Sequence, residues 1–232
     1  MPRKIIMTSD GSPSVEWEEG VTYHSMHGAI QESMHIFIQA GLRERAALQE
    51  ADNRSPLRIF ELGLGTGLNA LLSLREATAS RRPVIYEAIE AFPLENDLIA
   101  PLDYSIQLGD PALQPLFTQL HACDWERPVE MTPYFTFLKS RDLWPGYTLR
   151  QPAGLVYYDA FDPVVQPELW TANAFESLYG QLTPGARLVT YCSKGAVRRS
   201  LEAVGFLVDK IPGPPGKREM IRARVPVPQA KE

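Results

Sequence analysis

One stretch of the sequence, residues 57–74, constrains the fold more than any other. It opens with alternating and branched apolar residues, as a buried strand does. Three glycines, Gly63, Gly65 and Gly67, then fall within five positions, and an apolar helical pattern follows. A strand, a glycine turn and a helix together bring backbone N–H groups to a ligand that leaves no room for side chains. The alternative is that the glycines form only a tight turn.

An acidic residue downstream supports a nucleotide-like ligand. Glu90 lies 23 residues beyond Gly67, at the end of the next predicted strand, residues 84–89. An acid in this position is placed to bind two ribose hydroxyls, whereas the alternative is a solvated charge at a helix start. The dinucleotide fingerprint requires its third glycine where this chain has Leu68, so a nicotinamide or flavin site fits poorly.

The pattern Glu-x-Gly-x-Gly-Thr-Gly over residues 61–67 resembles the first motif of class I S-adenosylmethionine-dependent methyltransferases. The resemblance implies that S-adenosyl-L-methionine is the cofactor and that this turn lines its methionine and adenosine side. An acid just after the third strand commonly contacts the adenine amine in that fold. Asp142 is the candidate here, and a plain helix cap is its alternative. The cofactor-binding residues implied are Glu61, Gly63, Gly65, Thr66, Gly67, Asn69, Glu90, Asp142 and Asp159.

The order of predicted elements indicates an α/β fold. Strands alternate with helices, which implies a doubly wound, mostly parallel sheet, and two closing strands without a helix imply an antiparallel edge. We therefore expect a Rossmann-like class I methyltransferase core over residues 57–232. An extension over residues 1–56, with a small hairpin and a helix, packs on this core within a single domain. Seven sheet strands are predicted, over residues 57–62, 84–89, 134–138, 154–158, 186–192, 206–208 and 219–223.

Composition argues against several classes of protein. The chain has 232 residues and two cysteines, and its four histidines lack metal-ligand spacing, so neither a disulfide framework nor a metal site is expected. Its apolar runs are too short for a signal peptide or a membrane span. We therefore expect a cytoplasmic protein with no metal and no membrane contact.

The charge of the chain is unevenly distributed. Residues 187–224 hold nine basic and three acidic residues, a net charge of +6, which leaves −11 on the remainder of a chain with net charge −5. This asymmetry is expected of a protein with one face that meets phosphate, but solvated arginines on a sheet edge give the same pattern. The candidate phosphate-binding residues are Lys194, Arg198, Arg199, Lys217 and Arg218.

The residues after the fourth predicted strand carry a distinctive pattern, Asp-Ala-Phe-Asp-Pro over 159–163 and Gln-Pro-Glu-Leu-Trp-Thr over 166–171. Together with residues 190–199 and 216–220, they resemble the motifs of the MnmC methyltransferase family, and the resemblance covers nearly the whole chain. Members of that family methylate the exocyclic amine of 5-aminomethyl-2-thiouridine at the tRNA wobble position, giving 5-methylaminomethyl-2-thiouridine. The resemblance therefore implies tRNA as a partner, contacted at its anticodon arm.

The resemblance also carries an expectation about other enzymes. The well-known bifunctional members have an additional FAD-dependent oxidoreductase domain after this one, and the present chain ends at Glu232. A stand-alone methyltransferase is therefore implied, which receives its aminomethyl substrate from an upstream tRNA-modifying enzyme.

Methyl transfer to an amine requires the neutral amine, because a protonated amine has no lone pair. Asp159, at the carboxyl end of the fourth predicted strand, is the candidate catalytic residue: it would orient the amine, contact the cofactor, or both. Its alternative role is a helix N-cap ahead of Pro163. Phe161 is a candidate for packing against the target base, since single-stranded RNA bases are held by stacking.

Two other functional classes share these features. A spermidine-synthase-like aminopropyltransferase has this fold and also presents an aspartate after the fourth strand, but it would need an acidic amine-binding channel in place of a basic face. A non-catalytic nucleotide-binding partner subunit would hold the cofactor without turnover. Binding of S-adenosylmethionine, of its decarboxylated form and of NAD would discriminate among the three.

Overall fold

An eight-stranded sheet forms the centre of the computed structural model, which describes residues 3–18, 20–48 and 55–228. Its strands are β4 (Leu57–Leu62), β5 (Val84–Ile89), β6 (Val129–Thr132), β7 (Phe135–Ser140), β8 (Ala153–Tyr158), β9 (Leu182–Thr190), β10 (Leu207–Pro212) and β11 (Glu219–Arg224). They lie in the order β10-β11-β9-β8-β4-β5-β7-β6. The five strands from β9 to β7 run parallel, whereas β6, β11 and β10 pair antiparallel at the two edges.

The α/β fold with a mostly parallel sheet and an antiparallel edge is confirmed, but the predicted count of seven strands is wrong. The additional strand is β6, which lies between the second and third predicted strands, where the sequence patterns predict no strand. It has four residues and pairs with β7 through an irregular register between Glu130 and Thr132. Of its residues, Met131 alone is buried, so β6 has no clear apolar pattern that could reveal it.

Helices cover both faces of this sheet. They are α3 (Leu68–Ser80), α4 (Asn96–Ile99), α5 (Ser105–Leu108), α6 (Leu113–Ala122), α7 (Ala172–Tyr179) and α8 (Gly195–Val204), with a 3₁₀ turn over Pro167–Trp170. All six residues of β8 are buried, as expected for a central strand with both faces covered. Two hydrophobic clusters result, one containing Ile59 and Leu71, the other containing Phe60 and Phe175.

The amino-terminal segment forms a second, three-stranded antiparallel sheet of β1 (Lys4–Met7), β2 (Pro13–Glu18) and β3 (Val21–Thr22). A helix follows, made of α1 (Ala29–Ser33), a π-helical stretch over Met34–Arg43, and α2 (Glu44–Ala47). The predicted hairpin and helix are therefore present. Ile36 and Phe37 of this helix belong to the same hydrophobic cluster as α3, so the described part of the predicted extension packs on the sheet. The division at residue 56 stays a prediction.

The Asp10 turn of the hairpin holds the start of α1. The Asp10 carboxylate accepts a hydrogen bond from the Gln31 N–H at 3.0 Å, and the Thr8 hydroxyl accepts one from the Ala29 N–H at 3.2 Å. At Gly28, a Cβ would lie 2.6 Å from Asp10 Oδ2, so a glycine is required there. The turn residues thus satisfy the free N–H groups of the first helical turn.

Two further searches cover the same described residues. None of their helices is both long and apolar enough to cross a membrane. Nor do three or more of their His, Cys, Asp and Glu side chains cluster in a way that could hold a metal ion.

Candidate active site

A cavity of about 550 Å³ lies at the carboxyl ends of β4, β5 and β8. Strand β4 sits between β5 and β8: the chain adds β5 and β7 on one side of β4, and then β8 and β9 on the other. In open α/β sheets, ligands bind at this switch point because the loops on either side diverge. The cavity walls come from the glycine turn after β4, the loops after β5, β7 and β8, and the β3 segment of the small sheet.

The glycine turn has the backbone geometry that its sequence predicts. Gly63, Gly65 and Gly67 have φ values of 88°, 52° and 76°, all in the left-handed region. A Cβ at Gly63 would lie 3.0 Å from the Asp159 carbonyl oxygen, and one at Gly67 would lie 2.8 Å from His121 Nε2. The turn is therefore packed against its neighbours and leaves its other side to the cavity.

His121 supports the turn from below and was not predicted from the sequence. Its Nε2–H donates to the Thr66 carbonyl oxygen at 3.1 Å, while burial lowers the pKa of His121 to about 4. The imidazole is thus neutral at physiological pH. Gly67 is the N-cap of α3 and faces this ring, whereas Gly63, Gly65 and Thr66 line the cavity.

Glu90 connects the glycine turn to the loop after β5. One carboxylate oxygen accepts a hydrogen bond from the Gly65 N–H at 2.9 Å, and the other accepts one from the Phe92 N–H at 2.9 Å. The carboxylate faces the cavity, and each of its oxygens has lone pairs left for a ligand. A ribose with two hydroxyls fits this arrangement.

Asn69 joins two carboxylates under the cavity floor. Its Nδ2 donates to Glu61 Oε1 at 2.9 Å and to Asp159 Oδ2 at 2.8 Å. Glu61 is fully buried, and burial together with the nearby Asp159 charge raises its pKa well above the usual range. The sequence predicts that Glu61 and Gly67 line the cofactor site, but in the structure neither residue lines the cavity. Glu61 instead contacts Asn69, which does line the cavity.

Asp159 lies at the end of β8 with its carboxyl group toward the cavity. Burial, and then the charge of Glu32, raise its pKa to about 7, against opposing effects of the Asn69 hydrogen bond and the Lys217 charge. The alternative role as a helix N-cap is wrong, because the next helical elements begin at Pro167 and Ala172. A carboxyl group with this pKa exchanges a proton near neutral pH.

Aromatic side chains from distant parts of the chain form one wall. Phe161 has its ring centroid 5.0 Å from that of Trp17 and 5.0 Å from that of Tyr23. The Tyr23 ring also lies over the glycine turn, 3.0 Å from where a Gly65 Cβ would be. This aromatic wall of Trp17, Tyr23 and Phe161 has the flat apolar surface that a planar ring covers well.

The cavity opening carries exposed apolar groups beside two acids. Phe92 and Leu143 are 60% and 62% exposed, and each follows closely on a candidate acid, Glu90 and Asp142 respectively. Asp142 lines the cavity, and its carboxylate accepts from the Leu143 N–H at 2.7 Å. No helix begins there, so the helix-cap alternative for Asp142 is wrong.

The five predicted phosphate-binding residues lie in different surroundings. Lys217 lines the cavity and pairs with Glu32 at 2.8 Å. Lys194 pairs with Asp162, another lining residue, at 2.5 Å. Arg198 pairs with Glu202 along α8 at 2.7 Å. Arg199 and Arg218 are exposed and form no ion pair within the described residues.

Several residues that line the cavity were not predicted from the sequence, because they come from the amino-terminal segment. They include Trp17, Tyr23, His24 and Glu32. The Nδ1 atom of His24 lies 2.9 Å from the Ser14 hydroxyl. Burial lowers the pKa of His24 to about 4, so it is neutral. No spacing signal marks these residues, since only the tertiary fold brings them to the cavity.

Comparisons with known proteins agree with this geometry. The profile of a family described as S-adenosyl-L-methionine-dependent methyltransferase matches residues 145–226. A tRNA 5-methylaminomethyl-2-thiouridine biosynthesis bifunctional protein MnmC from Azoarcus sp. (strain BH72) is 32% identical over 100% of this chain and 38% of its own length. The protein of the same name from Aeromonas salmonicida (strain A449) is 32% identical over 91% of this chain and 33% of its own length.

A solved structure extends the match to three dimensions. The crystal structure of MnmC2 from Aquifex aeolicus superposes with a TM-score of 0.77 and 25% identity, covering 99% of this chain and 73% of that one. The chain thus spans about a third of the curated relatives and most of this solved structure. The glycine turn has no room for a Cβ, the Glu90 carboxylate fits ribose hydroxyls, and the cavity is lined by acids. These three features suit a nucleoside that bears a sulfonium. Residues 145–226 thus match the S-adenosyl-L-methionine-dependent methyltransferases, and over its whole length the chain is similar to the methyltransferase part of the MnmC proteins.

Proposed function

We propose that this methyltransferase transfers a methyl group to the aminomethyl nitrogen of 5-aminomethyl-2-thiouridine at the tRNA wobble position, giving 5-methylaminomethyl-2-thiouridine. The curated relatives are named for the biosynthesis of this nucleoside. The observation that carries the proposal is Asp159, a carboxyl group with a pKa raised to about 7 that faces a cavity beside the aromatic wall. An ammonium substrate needs such a proton acceptor.

The cofactor would be held by the residues around the glycine turn. S-adenosyl-L-methionine, when bound, supplies an electrophilic methyl group on a sulfonium. The turn offers its backbone, Glu90 offers carboxylate oxygens to the ribose, and Asp142 offers one to the adenine amine. Phe92 and Leu143 would lose their exposure to water against the adenine ring. Cofactor-binding roles thus fall to Gly63, Gly65, Thr66, Asn69, Glu90, Asp142 and Asp159, with Glu61 and Gly67 acting from behind the wall.

Asp159 would prepare the amine for attack. In its ionised form it accepts a proton from the target ammonium and leaves a lone pair on nitrogen. The Asn69 amide holds one carboxylate oxygen at 2.8 Å, so the other oxygen is free to face the substrate.

The target base would rest on the aromatic wall. A base must leave its stack before chemistry on it, and enzymes hold such bases against aromatic side chains. Phe161 follows Asp159 by two positions, and Gln166 fixes its backbone through a hydrogen bond from the Phe161 N–H at 3.0 Å. A base on Phe161 therefore lies within reach of the catalytic carboxylate.

The tRNA itself would be held at its anticodon arm by the basic carboxyl-terminal segment. Arg199 and Arg218 are exposed cations that can meet phosphate directly. Lys194, Arg198 and Lys217 would first exchange the carboxylate partners they have. A tRNA substrate also implies an upstream modifying enzyme that installs the aminomethyl group, and action in the cytoplasm.

One observation keeps the aminopropyltransferase alternative in view. The cavity contains Glu32, Asp159 and Asp162, an acidic lining that a polyamine would also find favourable. The basic segment and the named relatives favour tRNA over a polyamine. The family match likewise favours catalysis over a non-catalytic nucleotide-binding subunit.

The deciding experiment is nucleoside analysis of tRNA after incubation with this chain and labelled S-adenosyl-L-methionine. Label in 5-methylaminomethyl-2-thiouridine, found only when the tRNA carries the aminomethyl precursor, is the expected result. A chain that binds the cofactor but labels no tRNA, and that instead transfers an aminopropyl group from the decarboxylated cofactor to a polyamine, would establish the alternative.

A further inference from the structure

The cavity wall contains a partly buried ion pair, and the proposed function gives its carboxylate no task. Glu32 Oε1 lies 2.8 Å from Lys217 Nζ, with the two side chains 10% and 33% exposed. The second Glu32 oxygen accepts a hydrogen bond from the Ser25 N–H at 2.8 Å. Both residues line the cavity that Asp159 faces.

The two partners are brought together by distant parts of the chain. Glu32 belongs to α1, and Lys217 belongs to the loop between β10 and β11. This loop packs closely on the amino-terminal segment: Gly216 has φ 84°, and a side chain there would overlap the His27 ring. The position of Lys217 is therefore set by the backbone of this loop.

The groups around the Lys217 ammonium form a site that suits a primary alkylammonium. Its Nζ lies 4.3 Å from the centroid of the Tyr191 ring, within the range of a cation–π contact. A carboxylate on one side and an aromatic face on another form a receptor for a primary alkylammonium. The aminomethyl group of the proposed substrate is also a primary alkylammonium.

Removing charges from water is unfavourable unless they are well paired, so an ion pair on a cavity wall is costly to keep without a use. Asp159 has charged and polar groups around it, namely Glu32, Lys217, Asn69, Glu61 and Tyr191. Glu32 raises its pKa and Lys217 lowers it, so both charges act on the catalytic carboxylate.

We infer that Glu32 is the amine-binding residue of this methyltransferase, and that Lys217 occupies the ammonium position until the substrate's aminomethyl group replaces it. This inference rests on the proposed function for the identity of the amine. An ammonium has three N–H donors, so one can go to Asp159 as the transferable proton while another stays on Glu32. Glu32 thereby selects tRNA whose wobble uridine already carries the aminomethyl group.

If the Lys217 ammonium and the substrate's aminomethyl group compete for Glu32, then substitutions of Lys217 and Glu32 should change tRNA affinity in opposite directions. Glu32→Gln removes the amine receptor, so the aminomethyl group should add less to tRNA affinity. Lys217→Gln removes the competing ammonium, so the same group should add more. A pair with a merely structural role would make both variants weaker in the same way.

The measurement is the affinity of the full chain for tRNA with 5-aminomethyl-2-thiouridine, divided by its affinity for the same tRNA with 2-thiouridine, in a filter-binding assay. We expect this ratio to fall about tenfold in Glu32→Gln, the usual scale for a charge-assisted hydrogen bond, and to rise in Lys217→Gln. Glu44→Gln is the matched control, since Glu44 of α2 pairs with Arg187 at 2.9 Å and with Arg222 of β11, away from the cavity. Its ratio should equal that of the wild type.

A second readout is the pH at which kcat/KM reaches half its maximum. It should move down in Glu32→Gln and up in Lys217→Gln, since the two charges act oppositely on the pKa of Asp159. A ratio unchanged in Glu32→Gln, or lowered in both variants, overturns the inference while methyl transfer by the wild type leaves the proposed function standing. A wild type that transfers no methyl group to this tRNA overturns both.

Discussion

Two carboxyl groups share one amide in this site, and their surroundings give them different tasks. Asn69 donates to both Glu61 and Asp159, yet only Asp159 reaches the cavity. Glu61 is fully buried and orients the amide, whereas Asp159 has a pKa near 7 and can exchange a proton with a ligand. At the scale of single residues, the proposed chemistry depends on which carboxylate faces the cavity.

Asp159→Asn tests the catalytic assignment. The variant preserves the shape of the side chain and the contact with Asn69 but cannot accept a proton. We expect the methylation rate at saturating cofactor to fall by about 100-fold or more, the usual scale for the loss of an acid–base group. Single-turnover kinetics measure this step directly. A rate near that of the wild type would remove Asp159 from the mechanism.

The raised pKa of Asp159 also predicts how stability depends on pH. Since its folded-state pKa rises from 3.8 to about 7, this group stabilises the fold below pH 4, and that contribution is lost as pH rises through 7. Asn stays neutral throughout. Asp159→Asn should therefore have a higher Tm than the wild type at pH 8, with the difference shrinking at pH 5. A difference that is constant across this range would mean that Asp159 has an ordinary pKa in the folded chain.

At the scale of elements, the glycine turn and the amino-terminal hairpin form the cavity together. The turn provides positive φ and open backbone, and the Tyr23 ring from beyond β3 packs against it. Glu90 then links the turn to the loop after β5 through two backbone N–H groups. The proposed cofactor site is thus a contact between elements, and a side chain added at the turn should block it.

Gly65→Val is the corresponding experiment. A branched side chain opposes the φ of 52° and meets the Tyr23 ring, so S-adenosyl-L-methionine binding should be lost while the fold survives. Gly109→Val is the control: its φ is 62°, but nothing lies within 4 Å of a Cβ there. Calorimetry should show no cofactor binding in the first variant and normal affinity in the second. Equal affinities in both would place the cofactor elsewhere.

Local sequence patterns predicted the part of the cavity that the loops after the main-sheet strands form. The glycine turn, Glu90 and Asp159 follow strands whose apolar runs are clear, and parallel strands bring their carboxyl ends to one edge. Glu32, Trp17 and Tyr23 could not be predicted in this way, because their arrival depends on how the small sheet and its helix pack. Strand β6 was missed for a related reason, since an edge strand with one buried residue has little periodicity.

At the scale of the whole molecule, negative and positive charges are concentrated in different places. The cavity is lined by carboxylates, which suit a sulfonium and an ammonium, while the basic residues are concentrated between 187 and 224. The basic segment can be counted directly from the sequence, and its contact with phosphate stays a prediction. The sequence could not tell that Lys217 turns into the cavity, because that depends on the loop packing against the amino-terminal segment.

The last prediction concerns how this acidic protein would hold tRNA in the proposed function. Arg199 and Arg218 are the exposed members of the five candidates with no carboxylate partner in the described chain, so they are best placed to contact phosphate. Each phosphate contact releases counterions. The double variant Arg199→Ala/Arg218→Ala should therefore bind tRNA more weakly and lower the salt slope by roughly two units.

The matched control is Arg81→Ala/Arg127→Ala, which removes the same charge from exposed positions at the end of α3 and just before β6. Filter binding across a salt series should show the wild-type slope for this control, and both double variants should bind S-adenosyl-L-methionine normally because none of the four arginines lines the cavity. If both double variants weaken tRNA binding equally, only the net charge of the protein matters. If neither does, Arg199 and Arg218 are not the proposed contact with the anticodon arm.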